Sequence, residues 1–297
     1  MTANHPSRLK IFIVFFIAII AISYSAILVK QTNAPSAIAA TYRMLFTVVI
    51  LLPLFIKKHR SELKLLRKKE VFYSILSGVF LAFHFLSWFE SLKHTSIASS
   101  VVLVSLQPVF AVIEGVTFYK ERYSIISLLG MFVAILGSAV IGWGDFKLGG
   151  TALYGDFLSM VAAFMVTIYW LFGQTIRRSV SLITYTILVY SSSAVTLLVY
   201  DLVFQYSLAN YPIHDWMIFL GLAIIPNIFG HTALNWAVKY VNATTISMVT
   251  LGEPIGASIF AFYIFSETLT INQWLGGALI LGGLFIYNKY YQQKANK

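Results

Sequence analysis

The chain alternates between long apolar runs and short polar segments from one end to the other. Ten of the apolar runs approach the length of about 20 residues that an α-helix needs to cross the core of a bilayer. They fall at about 11–29, 36–56, 71–91, 96–118, 124–143, 155–176, 182–204, 215–237, 242–265 and 271–289. This pattern predicts an all-α polytopic membrane protein with ten transmembrane helices.

A long stretch of the chain occurs twice, because residues 93–140 recur without gaps 146 positions later as residues 239–286. The matching pairs are Lys93 and Lys239, Pro108 and Pro254, Glu121 and Glu267, Gly130 and Gly276, and Gly137 and Gly283. Proline and acidic residues are costly inside an apolar helix, so their recurrence indicates a duplication. We expect two five-helix repeats, residues 1–148 and 149–297. An odd number of helices per repeat predicts that the second repeat is inverted in the membrane relative to the first.

Composition supports the membrane assignment. Hydrophobic residues make up 59% of the chain and charged residues 11%, and the mean hydropathy is +0.80. A water-soluble fold could not bury so much apolar surface. The first apolar run follows Arg8 and Lys10 as in a signal peptide, but it has spanning length and no small-residue cleavage site, so we interpret it as a retained helix. The lack of cysteine excludes disulfides and thiolate chemistry.

The positions of the basic residues predict the orientation of the chain. If the N-terminus is cytoplasmic, 17 of the 21 basic residues lie in cytoplasmic segments. Only Lys30, Lys93 and Lys147 lie in outer loops, and Arg43 lies within the second helix. The positive-inside rule therefore predicts a multi-pass protein of the cell membrane with both termini in the cytoplasm, and it explains the net charge of +10 without a nucleic-acid partner. Seven of the cations fall in residues 57–69, a loop expected to lie near anionic membrane lipid.

Motifs for catalysis are weak. Residues 142–145 and 200–201 match the two aspartate motifs of intramembrane aspartyl proteases, but they occur in the reverse order and near helix ends. The sequence has no His-Glu-x-x-His, no Gly-x-Ser-x-Gly and no pair of histidines spaced to share a metal on one helical turn. We therefore predict no catalytic residue, no metal site, no cofactor and no enzymatic activity.

Five strongly polar residues fall at membrane depth, where each one needs a partner, water or a function. They are Arg43, His84, Glu114, His231 and Glu253. His84 and His231 occupy nearly equivalent positions in the two repeats, and such positions converge near the pseudo-twofold axis where transport sites form. The alternative for four of them is a structural role: a bond to a neighbouring helix for each histidine, bonds to helix-end carbonyls for Arg43, and contact with Lys120 or water for Glu114.

Prolines add three expected breaks in the helices. Gln107 and Glu253 directly precede Pro108 and Pro254, so each polar side chain lies beside a freed backbone carbonyl, and Pro226 marks a third break. The alternative is that these prolines only bend helices for packing. The aromatic candidates for the walls of a site, which could also face lipid or the core, are Tyr24, Trp88, Tyr169, Trp170 and Trp236.

These motifs, in order and repeated, resemble the EamA-type ten-helix transporters of the drug/metabolite transporter superfamily. In that family a helix with a mid-membrane proline leads through a glutamate turn into a glycine-rich helix, as at Pro108, Glu121 and Gly130. One departure is Val166, three residues before Tyr169, where the family often has tryptophan. The resemblance implies a secondary-active exporter of a small polar metabolite, an amino acid or related amine or carboxylate, working by alternating access. A non-transporting receptor or scaffold and a passive channel stay open as alternatives, as do proton coupling and a monomer or homodimer.

Overall fold

The computed structural model describes residues 6–141, 143, 150–265 and 270–291, and every regular element within them is a helix. Ten helical segments correspond to the ten predicted runs. They are Arg8–Gln31 (α1), Ser36–Lys58 (α2), Lys68–His94 (α3), Ile97–Val104 with Gln107–Tyr119 (α4), Ile125–Ile141 (α5), Thr151–Ile176 (α6), Leu182–Val203 (α7), Ile213–Ala237 (α8), Ala243–Val249 with Glu253–Phe265 (α9) and Ile271–Tyr290 (α10).

Eight of these segments are long and apolar enough to cross a membrane, namely all except α5 and α10. The helix α5 is apolar but too short, with 17 residues. The helix α10 is long enough, with 20 residues, but less apolar than the other eight. The all-α membrane architecture predicted from the hydrophobic pattern is therefore confirmed. Glu267, Asp145 and Lys147, which the sequence analysis singled out, lie outside the described residues.

Equivalent helices of the two repeats pack against each other in opposite directions. Gly130 of α5 lies against Gly283 of α10, and Gly137 lies against Gly276. In α2 and α7, Thr41 near the start of α2 donates to Asp201 near the end of α7 at 2.5 Å. A twofold axis in the membrane plane produces this antiparallel pairing of equivalent helices. The contacts therefore confirm the inverted arrangement of the two repeats.

The α5 and α10 pair depends on glycine for its close approach. A Cβ atom added to Gly137 would lie 2.6 Å from the carbonyl oxygen of Gly276, and one added to Gly283 would lie 2.5 Å from that of Gly130. Backbones this close leave no room for a side chain, as at other small-residue contacts between membrane helices. These glycines therefore serve the packing of α5 against α10.

Four helices are irregular around the centre of the bundle. The helix α1 is interrupted at Tyr24, and α4 is interrupted between Val104 and Gln107. In α9 the break is the 3-10 turn Thr250–Gly252, and α8 contains the π-helical segment Ala223–Thr232. Irregular backbone at membrane depth is tolerated only where protein or a water-lined cavity satisfies its polar groups. The breaks therefore point to a polar site among these four helices.

Several helix ends at the bundle surface are capped by side chains. Thr270 and Gln273 form a capping box at the start of α10, with reciprocal hydrogen bonds of 3.3 and 2.8 Å. Ser124 accepts from the amide of Ser127 at 3.0 Å before α5. Between α2 and α3 a 3-10 helix, Arg60–Leu65, packs beside the start of α7.

Candidate functional site

A small cavity lies at the centre of the bundle and is lined by both repeats. The space open to the centres of water molecules is about 30 Å³, and one such centre needs about 10–15 Å³. The lining residues are Ile22, Ser25, Arg43, His84, Trp88, Val104, Gln107, Val166, Trp170, His231, Leu234, Thr250 and Glu253. The cavity has room for about two or three water molecules, which is too little for a metabolite.

Seven of the ten side chains that the sequence predicted for a site line this cavity. They are Arg43, His84, Trp88, Gln107, Trp170, His231 and Glu253. They come from α2, α3, α4, α6, α8 and α9, so residues far apart in the sequence converge as the pseudo-twofold axis requires.

The breaks in α4 and α9 place Gln107 and Glu253 at equivalent positions on the cavity. Each residue begins the second half of its helix, directly before Pro108 or Pro254. The N-terminus of a half-helix carries free amide donors and the positive end of the helix dipole, which favours a carboxylate such as that of Glu253. The hydroxyl of Thr250 links the two breaks by donating to Gln107 Oε1 at 3.4 Å.

Arg43 is fully buried and is held by neutral groups. Its Nε donates to Asn227 Oδ1 at 3.2 Å, and its Nη1 donates to Ser25 Oγ at 3.0 Å. The guanidinium carbon lies 3.9 Å from the centroid of the Phe85 ring, a cation–π contact that is strong when it is desolvated. A guanidinium has five N–H donors, so some remain for the cavity.

Glu253 and Arg43 line the same cavity but are not ion-paired. The ion pairs among the described residues lie elsewhere, at His59–Glu62, Arg67–Glu70 and Glu90–His94. The sequence offers Arg43 or a substrate ammonium as the cation for Glu253, and the structure does not pair Glu253 with Arg43. The physical reason is that Asn227 and Ser25 already bind the guanidinium.

Two histidine–tryptophan pairs face each other across the cavity. His84 stacks on Trp88 with ring centroids 6.2 Å apart, and His231 stacks on Trp170 at 5.7 Å. The two imidazole centroids are 6.3 Å apart. His84 Nδ1 donates to the carbonyl oxygen of Ala162 at 2.9 Å, which leaves its Nε2 as the acceptor nitrogen.

Three of these rings carry buried polar atoms with no hydrogen-bond partner among the described residues: Trp88 Nε1, Trp170 Nε1 and His231 Nδ1. An unsatisfied buried polar atom costs about 1–3 kcal/mol, so native proteins retain few of them. All three side chains line the same cavity.

Three predicted aromatic residues lie outside the cavity lining. Tyr24 packs edge-on against Phe260 with ring centroids 5.1 Å apart. Tyr169 lies one layer behind the cavity, where its hydroxyl accepts from Asn235 Nδ2 at 2.5 Å. Trp236 lines a separate groove. A single sequence gives the depth of these rings but not the direction in which they point.

Other residues line the cavity or support it, although the sequence analysis did not name them for the site. Ser25, Thr250 and Val166 line the cavity, and Asn227 anchors Arg43. Asn227 follows the expected break at Pro226, which was the available signal, whereas Ser25 and Thr250 carried none. Lys120, which with water was the structural alternative for Glu114, is not its partner. Glu114 instead accepts from Thr167 Oγ1 at 2.8 Å, because α4 packs against α6.

Polar networks between the repeats lie beyond the cavity on both sides. On one side Glu121 accepts from Tyr123, Asn242 and Gln174 at 2.5, 2.7 and 3.3 Å. On the other side, in addition to the Thr41–Asp201 bond, Thr32 donates to Asp215 at 2.8 Å. These bonds join the two repeats on both sides of the narrow cavity.

Two inverted repeats with broken helices around a polar central cavity define the class of membrane transport proteins. The model of the EamA-like transporter family matches this chain twice, at residues 9–143 and 153–289. The chain therefore belongs to the EamA-like transporter family and is a membrane transporter.

Individual relatives agree with this assignment. The chain is 27% identical over 282 residues to an uncharacterized transporter of Archaeoglobus fulgidus, with 91% of this chain and 93% of the relative covered. It is 20% identical over 268 residues to the uncharacterized transporter YxxF of Bacillus subtilis, with coverage of 90% and 86%. A solved crystal structure of a protein superposes with a TM-score of 0.78 at 16% identity, covering 96% of this chain and 99% of that one, and supports the fold.

Proposed function

We propose that this transporter exports a small polar metabolite, an amino acid or a related amine or carboxylate, by alternating access around the central cavity. The observation that carries the proposal is the set of groups on one cavity: the carboxylate of Glu253, the guanidinium of Arg43 and the unpartnered indole N–H groups of Trp88 and Trp170. This set offers both an acceptor and several donors, which suits a substrate that carries an amine and a carboxylate.

The opposite charges of Glu253 and Arg43 on the cavity wall favour one orientation of a bound substrate. A carboxylate at membrane depth must be paired, hydrated or protonated, and Glu253 has no ion-pair partner among the described residues. A substrate ammonium or a coupling proton would satisfy it. The substrate carboxylate would accept from the indoles and from the remaining Arg43 donors, since such charge-assisted bonds are stronger than neutral ones.

Alternating access follows from the size of the cavity. Its present volume is smaller than an amino acid, so loading requires the cavity to widen toward one side. The half-helices that begin at Gln107 and Glu253 are equivalent in the two repeats and can exchange roles as one side opens and the other closes. The networks at Glu121 and at Asp215 are the bonds that would break in turn.

The distribution of basic residues, 17 against three, supports a cell-membrane protein with both termini cytoplasmic. Its partners are the small-molecule substrate and membrane lipid, with no nucleic acid. Transport needs no catalytic residue, cofactor or metal in this scheme, and the carrier works as a monomer or homodimer.

Counterflow into proteoliposomes tests the substrate class. Vesicles preloaded with unlabelled compound are given labelled amino acids, the corresponding decarboxylated amines and the corresponding deaminated acids, with and without a proton gradient. We expect saturable counterflow that is strongest for compounds with both charges. Binding without flux would point to a receptor, and flux without saturation would point to a channel, so either result would contradict the proposal.

A further inference from the structure

A second, larger cavity lies on the outside of the bundle between α1, α7 and α8. Its volume of about 330 Å³ for the centres of water molecules falls in the range of about 300–1,000 Å³ typical of ligand pockets. The lining is mainly apolar and includes Val14, Ile17, Leu182 and Phe229. Besides Trp236, the lining has two polar residues, Lys10 and Thr232. Thr232 already shares a hydrogen bond of 2.9 Å with Tyr190. The groove therefore suits a hydrocarbon chain.

One end of the groove is cationic. Lys10 lies there, with its Nζ 5.5 Å from the centroid of the Trp236 ring. Leu182 lies at the same end, directly after Ser181, which is bonded to His59 and Glu62 of the segment between α2 and α3. That segment, residues 57–69, carries seven of the 21 basic residues of the chain. Tryptophan and lysine at the end of an apolar groove are typical of the level of lipid headgroups.

One acidic residue, Glu62, lies among the seven basic residues of 57–69 and offsets only one of their charges. Glu62 accepts from the amide and hydroxyl of Ser181 and from the hydroxyl of Thr184, so it caps the start of α7. The side chains of Lys57, Lys58, Arg60 and Lys64 are exposed. Residues 57–69 therefore keep a surplus of positive charge even with Glu62 ionised, and each basic residue near a membrane surface attracts anionic lipid.

We infer that the groove between α1, α7 and α8 binds one anionic phospholipid, with an acyl chain along the apolar lining and the phosphate at Lys10. A zwitterionic lipid fits less well, because its choline or ethanolamine group would lie among the cations of residues 57–69. An apolar peptide would leave Lys10 without a counterion.

A bound lipid would also affect the central cavity, because α1 and α8 line both the groove and that cavity. The floor of the groove is the π-helical segment Ala223–Thr232, and His231, next to Thr232, lines the central cavity. On α1, Ile17 lines the groove and Ile22 lines the central cavity. A lipid in the groove therefore holds the spacing of α1 and α8, and we expect the rate of transport to depend on it.

Native mass spectrometry of the purified full chain tests this inference without a transport assay. The protein is titrated with phosphatidylglycerol or with phosphatidylcholine of the same acyl chains, and retained lipid is counted. Lys10→Gln removes the proposed phosphate ligand. Lys289→Gln is its matched control, because Lys289 is also exposed and also lies over aromatic rings, at 5.9 and 5.4 Å, but on α10.

A second pair of variants tests the acyl-chain part of the groove. Ile17→Trp fills the groove, whereas Ile20→Trp adds the same bulk to α1 at a position that is 44% exposed and does not line the groove. We expect one phosphatidylglycerol retained in preference to phosphatidylcholine, with affinity lowered about fivefold by Lys10→Gln and lost in Ile17→Trp. Both controls should bind as the unmodified chain does. Equal retention of the two lipids, or equal effects of each variant and its control, would overturn the inference.

Discussion

At the scale of single residues, the central site combines a buried cation with neutral partners. Arg43 binds no carboxylate among the described residues and is held by Ser25, Asn227 and the face of Phe85. A buried charge held only by dipoles and a ring retains attraction for an anion that enters the site. The cavity therefore favours a substrate that supplies negative charge near Arg43 and positive charge near Glu253.

Replacing Arg43 by lysine tests the geometry of this cation. Lysine keeps the charge but loses the planar fork and the stacking on Phe85, so we expect Arg43→Lys to raise the half-saturation concentration about tenfold or more. Arg177→Lys is the matched control, because Arg177 is also buried and donates to the carbonyl oxygen of Asn235 at 3.0 Å, away from the cavity. The control should lower thermal stability and leave half-saturation unchanged. An unchanged half-saturation in Arg43→Lys would contradict this role.

A second residue-scale prediction concerns pH and the loop before α3. Burial alone would raise the pKa of Glu62, but hydrogen bonds from Ser181 and Thr184 outweigh it, so the pKa of this carboxyl is lowered. A carboxylate with a lowered pKa stabilises the fold above its unfolded pKa, about 4.3, and that stability is lost as pH falls through the folded value. Glu62→Gln should therefore lower the melting temperature at pH 7. The difference should shrink below about pH 4, and a difference independent of pH would count against the account.

At the scale of helices, proline and glycine gave the most reliable signals. The expected breaks before Pro108 and Pro254 occur, and the glycine faces of α5 and α10 meet. The break at Tyr24 was not foreseen, because no proline or glycine marks it. The close contact of Gly78 with Val189 of α7 was also missed, since one glycine in an apolar helix does not show which neighbour approaches it.

The α5 and α10 contact should tolerate almost no added volume. Gly137→Leu would place side-chain atoms into the backbone of α10, so we expect a loss of about 3 kcal/mol or more and a lower yield of folded protein. Gly282→Leu is the control, because a Cβ added there has nothing within 4 Å. Size-exclusion profiles and melting in detergent compare the two. A normally folded Gly137→Leu with lost transport would mean that α5 contributes to the site rather than to packing.

At the scale of the whole molecule, the repeat and the count of helices made the inverted architecture predictable. The recurrence of 93–140 as 239–286 aligned the equivalent helices, and an odd number of helices per repeat fixed their antiparallel relation. The residues that line the cavity were less predictable. Tyr24 and Trp236, for example, were predicted to line it and do not. In a helix that is apolar all round, hydrophobic periodicity does not distinguish the face toward lipid from the face toward a cavity.

The orientation of the whole molecule in the membrane is tested with reporter fusions. Fusions after Lys69 and after Lys297 should both report the cytoplasm, because the segments on the same side of the membrane as the N-terminus hold 17 of the 21 basic residues. Removing positive charge from residues 57–69 should weaken this preference. An outer signal at Lys297 would exclude the ten-helix topology.

The cavity between the repeats, with Glu253 on its wall, is the proposed transport site. The most direct measurement is counterflow in proteoliposomes for Glu253→Gln and Pro254→Ala, with melting in detergent as the test of folding. We predict that Glu253→Gln folds normally and loses about tenfold or more of its flux, or loses its coupling to protons, and that Pro254→Ala is the milder change. Near-normal, normally coupled flux in folded Glu253→Gln, with Pro254→Ala the more damaging variant, would contradict the claim and leave the break in α9 as a packing feature.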